Sequence, residues 1–229
     1  MNRPTFKEKL RLGETVSLIN VNHASATLVN IVGKTGVDAI MIDCEQGHYD
    51  FKDIEHMTYA ARLNGMASIV RVPSAEAWTI ERYVMRDIDG VIVPRLDTAA
   101  QAVKAVEDIR YASPGTFAQK AVIIQIESVS AVRELDAFLA VPNIDCFFVG
   151  AVDLAKSMGF DGDYSQQDVM AAMRAVLAEI RKQGKSAGFM VKESDVGSWR
   201  EAGANMLYFH LNECFRLGMR DWKTAAGLA

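Results

Sequence analysis

At 229 residues, half of them hydrophobic, the chain can bury one large core and is far too apolar to be disordered. Its net charge of −4, with Lys and Arg scattered, leaves no electrostatic footprint for nucleic acid, and three cysteines without CxxC spacing suggest neither a disulfide framework nor a zinc site. The amino terminus has no apolar export segment and no run approaches the roughly 18 apolar residues of a membrane span, so a soluble protein of the reducing cytoplasm is expected.

The opening, Pro4–Leu12, sets Phe6 and Leu10 at helical spacing before Gly13 and predicts a short N-terminal capping helix. Apolar runs too short for helices then recur at Val16–Val21, Ala39–Ile42, Ala67–Val70, Gly90–Val93, Val122–Ile126, Cys146–Val149, Ala187–Val191 and Met206–Phe209. Helix-like segments lie between them, at Ser25–Lys34, Phe51–Leu63, Ala75–Arg86, Thr98–Arg110, Val129–Leu139, Gln166–Lys182, Ser194–Ala202 and Asn212–Ala225. Several are followed by an Asp and then the apolar start of a strand. Such alternation predicts a parallel sheet, because each parallel crossover needs a helix. No GxGxxG follows the first strand, and polar groups are spread over several strand ends rather than gathered at one switch point. Both features favour a (β/α)₈ TIM barrel, one domain over residues 1–229, against a doubly wound open sheet.

Two stretches carry most of the chemical interest, Ala121–Glu127 (AVIIQIE) and Cys146–Asp153 (CFFVGAVD). Each delivers a carboxylate just past a run that reads as a strand buried on both faces, and a barrel brings Glu127 and Asp153 to one mouth. Two such carboxylates can hold one hard divalent cation, with waters and substrate oxygens completing its shell; helix N-capping is the alternative for both. The remaining strand ends offer Asn20, Asn22 and His23, then Asp43, Glu45, Gln46 and His48, then Arg71 and Arg95, then Gln125, Gly150 and Lys192, and finally His210, Asn212 and Glu213. Arg71 directly follows the buried run ASIV, where a guanidinium needs an anionic partner, from the protein or from a substrate. Lys192 raises a Schiff-base aldolase, but its KESD setting reads as a solvated loop that keeps the amine protonated. Cys44 has no base beside it in sequence and reads as a buried strand residue.

Together these residues resemble the HpcH/HpaI aldolase family, metal-dependent class II aldolases that act through pyruvate enolate. The matching pieces are IDCEQG at 42–47, IVR at 69–71, DGVIVPR at 89–95, RYASPG at 110–115, IIQIES at 123–128 and FVGAVDLAKSMGF at 148–160, in family order and covering most of the chain from the second strand to the sixth. The resemblance implies a (β/α)₈ barrel in a homohexamer that exchanges helices between subunits. It implies a divalent metal, Mg²⁺, Mn²⁺ or Co²⁺, on Glu127 and Asp153, with Arg71 steadying the enolate and Gln125 a polar neighbour. Gly150, Ala151 and Val152 match a loop whose backbone amides hold the pyruvate carboxylate, and Asp43 and Glu45 the acidic positions around the base. Arg95, at the end of the fourth strand, is a further candidate for substrate binding.

Two departures from that pattern bear on chemistry. Gln46 stands where the family commonly has His, and Gln cannot take a proton near neutral pH. The imidazole is therefore expected from His48, on the same loop as Asp43 and Glu45, in preference to His23 at a helix start, with a metal-activated water as the alternative. Residues 111–120 also form a shorter segment than in many relatives, which leaves the acceptor open. The expected reaction is reversible aldol cleavage of a 4-hydroxy-2-oxo acid to pyruvate and an aldehyde. A related carbon–carbon lyase or synthase on an acyl-CoA or oxaloacetate-like substrate is one alternative; a non-catalytic 2-oxo-acid binder that has lost its base is another. Phe215, Leu217, Met219 and Trp222 make an apolar terminal helix, expected to pack on a second subunit of a homo-oligomer or else on its own barrel.

Overall fold

Strands β1 (Val16–Asn20), β2 (Ala39–Asp43), β3 (Ala67–Arg71), β4 (Gly90–Val93), β5 (Ala121–Ile126), β6 (Cys146–Val149), β7 (Ser186–Met190) and β8 (Met206–His210) pair in parallel in that order, and β8 closes back on β1. This computed structural model describes residues 4–228. Helices α1 (Phe6–Arg11), α2 (Ala26–Gly33), α3 (Phe51–Leu63), α4 (Ala77–Val84), α5 (Ala99–Ala112), α6 (Val129–Arg133), α7 (Leu135–Leu139), α8 (Ala151–Ser157), α9 (Gln167–Lys182), α10 (Val196–Glu201) and α11 (Leu211–Ala225) complete a (β/α)₈ barrel. None of the helices among the described residues is long and apolar enough to cross a membrane.

The period-two alternation of the strands divides the core into two layers. Leu18, Met41, Ile69, Ile92, Ile123 and Phe148 fill the barrel, while Ile19, Ile40, Val70, Val91, Ile124 and Phe147 pack outward against the helices. Continuing the inward parity toward the carboxyl ends brings up Asn20, Asp43, Arg71, Gln125, Tyr208 and His210, so the polar mouth is the uppermost inward layer of an otherwise apolar interior. The amino-terminal end is closed by α1, whose Phe6 and Leu10 join the interior cluster and whose Thr5 and Glu8 form a reciprocal capping box.

One device recurs around the barrel floor. Asp38, Asp89, Asp145 and Asn205 each stand directly before an even-numbered strand, and each accepts the amide of the second residue of the preceding odd strand: Ser17 at 2.8 Å, Ser68 at 2.9 Å, Val122 at 2.9 Å and Ala187 at 2.7 Å. An amide left unpaired there would cost about 1–3 kcal/mol, so these side chains fix where the strands begin. The three carboxylates are neutralised by Lys9, by Arg62, and by Lys7 with Arg11. This is the physical content of the Asp-plus-apolar strand starts seen in the sequence.

Two local expectations are corrected. Val129–Leu139 is two short helices, α6 and α7, because Glu134 leaves helical geometry (φ −96°, ψ 15°) and turns its carboxylate to the amide of Ala99 at 3.0 Å. The segment after β6 is a helix, α8, and Asp153 lies inside its first turn.

Candidate active site

At the carboxyl mouth, Asp43, Gln46, Arg71, Arg95, Gln125, Gly150, Ala151, Val152 and Asp153 share one cavity of about 350 Å³ with Tyr208 and His210. Most of the residues singled out from sequence therefore meet in one place. Asp43 and Arg71 are register partners on β2 and β3, and the Arg71 guanidinium donates Nε at 2.8 Å and Nη2 at 2.6 Å to the two Asp43 oxygens. Glu45 sits between two arginines, 3.2 Å from Arg71 Nε and 2.8 Å from Arg95 Nε. The anionic partner that Arg71 required is thus a protein carboxylate. Its Nη1 has no acceptor among the described residues.

Glu127 lies just behind the cavity wall, 5% exposed. One oxygen accepts the Arg95 backbone N–H at 2.6 Å and the other the Gln125 side-chain amide, and no lysine or arginine side chain among the described residues forms an ion pair with it. Burial, with Glu45 and Asp153 adding like charge, lifts its carboxyl from the ordinary 4.5 to about 7. The Gln125 Oε1 is buried without a partner. Gly150 makes this packing possible, since a Cβ there would lie 2.7 Å from Gln125 Nε2 and 2.8 Å from Glu127 Cβ.

Among the described residues no three His, Cys, Asp or Glu side chains gather as a metal cluster. A Mg²⁺-type ion needs only one or two carboxylates, so the relevant question is whether two suitable ones lie close. Asp153 lies near enough to add like charge to Glu127, Glu127 makes no ion pair among the described residues, and an amide oxygen without a partner among them adjoins it. That all-oxygen donor set fits a hard divalent ion. Asp153 is the looser member, its side chain 41% exposed and paired with Lys156 at 3.0 Å.

The expected carboxylate cradle at 150–152 needs one correction. The Gly150 amide is spent on the Ile126 carbonyl at 2.9 Å, which continues the β5–β6 ladder. Of the three, the Ala151 and Val152 amides, in the uncapped first turn of α8, have no protein acceptor among the described residues.

The expected imidazole, His48, does not line the main cavity. His48 is exposed, lines an adjacent cavity of about 400 Å³ with His23, and makes no hydrogen bond to Asp43 or Glu45 among the described residues. Both carboxylates are already held by arginines across the sheet. The imidazole at the main cavity is His210, which lines both cavities together with Asp43 and Gln46. The inward parity of Met206, Tyr208 and His210 on β8 is the signal that points to it.

The Lys192 amine lies over the Tyr164 ring, 5.7 Å from its centroid, and its neighbours Tyr164, Asp195 and Glu213 raise its pKa and keep it protonated. Burial raises the Cys44 thiol to about 12, in keeping with an inert strand-end residue.

The sequence profile of the HpcH/HpaI aldolase/citrate lyase family matches residues 17–210. The chain belongs to that family. It is accordingly a carbon–carbon lyase of the aldolase type. A hydroxypyruvate/pyruvate aldolase of Paraburkholderia phytofirmans is 30% identical over 85% of this chain and 87% of its own length. A 5-keto-4-deoxy-D-glucarate aldolase of Klebsiella pneumoniae is 28% identical over 80% and 81%. Among solved structures, an HpcH/HpaI aldolase/citrate lyase family protein from Burkholderia cenocepacia superposes with a TM-score of 0.85 at 25% identity, covering 97% of this chain and 98% of that one.

Proposed function

We propose that this protein reversibly cleaves a 4-hydroxy-2-oxo acid to pyruvate and an aldehyde with the help of a divalent cation. The observation that carries the reading is Glu127, a buried carboxylate that makes no ion pair among the described residues and lies near Asp153 behind a mouth that also presents a guanidinium. The named relatives act on hydroxypyruvate, pyruvate or a keto-deoxy sugar acid, which supports a small 2-oxo acid as the substrate class. A cavity of about 350 Å³ suits such a molecule.

Glu127 and Asp153 would hold the cation, with Gln125 Oε1 beside them, and the ion would supply Lewis-acid polarisation of the keto group. Asp43 orients Arg71 so that its unspent Nη1 can donate to the oxygen where charge develops as the C3–C4 bond breaks. A preorganised donor of that kind contributes roughly 3–4 kcal/mol, a factor of about 10²–10³ in rate. The free Ala151 and Val152 amides suit the substrate carboxylate, and Arg95, anchored by Glu45, adds positive charge at the rim.

The test is exchange of pyruvate methyl protons in deuterated water with Mg²⁺, Mn²⁺ or Co²⁺, which needs no knowledge of the aldehyde. Exchange that stops on chelation and returns with metal is expected, and borohydride with pyruvate should leave no adduct on Lys192. Full exchange after rigorous chelation would refute the reading.

A further inference from the structure

The mouth of the barrel holds one hydrogen-bonded chain that the carboxylate and arginine chemistry leaves unused. Asn22 takes the left-handed conformation, φ 60°, and its backbone N–H donates to Asn20 Oδ1 at 2.8 Å. That bond pins the Asn20 amide, whose Nδ2 donates to the Tyr208 phenol oxygen at 3.0 Å. Tyr208 Oη is therefore an acceptor on that side, and its one hydrogen is left for His210 Nε2 at 3.2 Å or for a molecule in the cavity. The Asn22 side-chain NH₂ meets His210 Nδ1 at 2.9 Å, and the amide oxygen is buried with no partner among the described residues. Either end of that amide can serve the ring, the NH₂ donating to a bare Nδ1 and the oxygen accepting from a protonated one. The ring can therefore change its proton count in place, provided that the Asn22 amide turns end for end to present its oxygen to Nδ1.

We propose that Tyr208 and His210 are the proton relay of this site, supplying from the end of β8 the imidazole that Gln46 cannot. The inference rests on the aldolase reading and deepens it. His210 shares both mouth cavities with Gln46, so the two side chains face the same space from the end of β8 and from the loop after β2, on either side of β1. The charged groups around the ring are Asp43 and Glu213 of one sign and Arg71 of the other, with His23 and His48 across the second cavity. Burial is the largest influence and lowers the ring's pKa, which leaves it neutral and able to accept. Burial also pushes the Tyr208 phenol up to about 12, so its hydrogen stays in place to be passed on.

In the cleavage direction, with the Asn22 amide turned so that its oxygen accepts the Nδ1 proton of His210, the C4 hydroxyl gives its proton to Tyr208 Oη as Tyr208 gives its own to His210 Nε2 and the C4 oxygen becomes the aldehyde carbonyl. The C3–C4 bond breaks, its electron pair passes into the C2–C3 bond, the keto oxygen takes up the charge, and the aldehyde leaves. Run in reverse, the relay returns one proton to C3 and completes pyruvate. Tyr208 touches the substrate and is the catalytic residue; His210 acts through it as a positioning residue and proton store.

The test measures pyruvate methyl exchange with saturating Mn²⁺ on the full chain, across pH, for wild type, Tyr208→Phe, His210→Gln, His48→Ala and the double variant Gln46→His/His210→Gln. Both relay variants should lose about 10²-fold or more in kcat with little change in KM, and His210→Gln should also lose the acidic limb of the pH profile. Gln46→His should restore about tenfold of that loss, and His48→Ala should stay near wild type. Tyr208→Phe keeps the ring packed edge-on against Phe148 at 5.6 Å, so it tests the relay even where His210→Gln folds poorly. Wild-type rates and an unchanged pH profile in folded Tyr208→Phe and His210→Gln overturn the relay alone. No exchange by wild type with any of the three metals overturns the aldolase reading and the relay with it.

Discussion

Asp43 and Arg71 face each other across β2 and β3 and exchange two hydrogen bonds, at 2.8 and 2.6 Å, with side chains 9% and 15% exposed. The carboxylate thus fixes the plane of the guanidinium before any substrate arrives. Removing one member of a pair this buried strands the other, at a cost of about 3–5 kcal/mol. Arg71→Met is therefore expected to lower stability on that scale in urea unfolding. The double variant Asp43→Asn/Arg71→Met should be less destabilised than the sum of its parts. Arg71→Lys should fold better yet lose about 10²-fold in exchange rate, because a point charge cannot hold two parallel bonds to Asp43 and also donate a third.

The elevated Glu127 carboxyl makes stability depend on pH in a definite direction. Its folded value, about 7, lies above the ordinary 4.5, so the fold favours the neutral form. The linked stability is fully present below 4.5 and is lost as pH rises through about 7. That gap is worth about 3 kcal/mol. In EDTA, wild type should weaken from pH 5 to pH 8 relative to Glu127→Gln, which lacks this slope. A cation competes with the proton at the same carboxylate, so the apparent affinity for Mn²⁺ should climb through pH 7 and then level off. Parallel stability–pH curves for the two proteins would contradict the assignment.

Gly150 carries an expectation of its own. Its φ of −86° suits any residue, so Gly150→Ala tests space rather than backbone freedom. The new methyl would press on Gln125 and Glu127 Cβ, and overpacking of this kind costs about 1–3 kcal/mol. Loss of Mn²⁺ affinity should accompany the destabilisation. Gly115→Ala, where an added Cβ meets nothing within 4 Å, is the control and should be close to neutral.

Much of the barrel is legible in the sequence because its strands are buried on both faces, so each appears as an apolar run of the right length, several opened by an Asp that caps the neighbouring strand. Glu127, Asp153 and Arg71 stand out for the same reason, as charges at the ends of such runs. The imidazole proposed for the relay does not. Sequence proximity favours His48 beside Asp43 and Glu45, but those carboxylates are claimed across the sheet by Arg71 and Arg95, and the loop turns His48 to solvent. His210 belongs to a strand whose outer half is only partly buried, so MLYFH shows its inward parity only once β1 and β7 fix its register. The spent amide of Gly150 is likewise a consequence of register, visible only when β5 and β6 are paired.

Helix α11 bears on assembly. Phe215, Met219 and Trp222 follow one another at helical spacing and are 51%, 53% and 59% exposed, while only Leu211 at the start of the helix is buried. Leu217, the fourth apolar residue of the expected face, is half-buried, so packing on its own barrel, one of the two expectations for this segment, leaves the other three uncovered. Three large apolar side chains in a single exposed stripe favour burial against another copy, in line with the homo-oligomer that the family resemblance implies. Sedimentation at micromolar concentration should show a species larger than the monomer. Met219→Glu combined with Trp222→Glu should shift it toward the monomer without altering the far-ultraviolet circular dichroism, because neither side chain supports the barrel. A wild-type protein that sediments only as a monomer would rule out this role for α11.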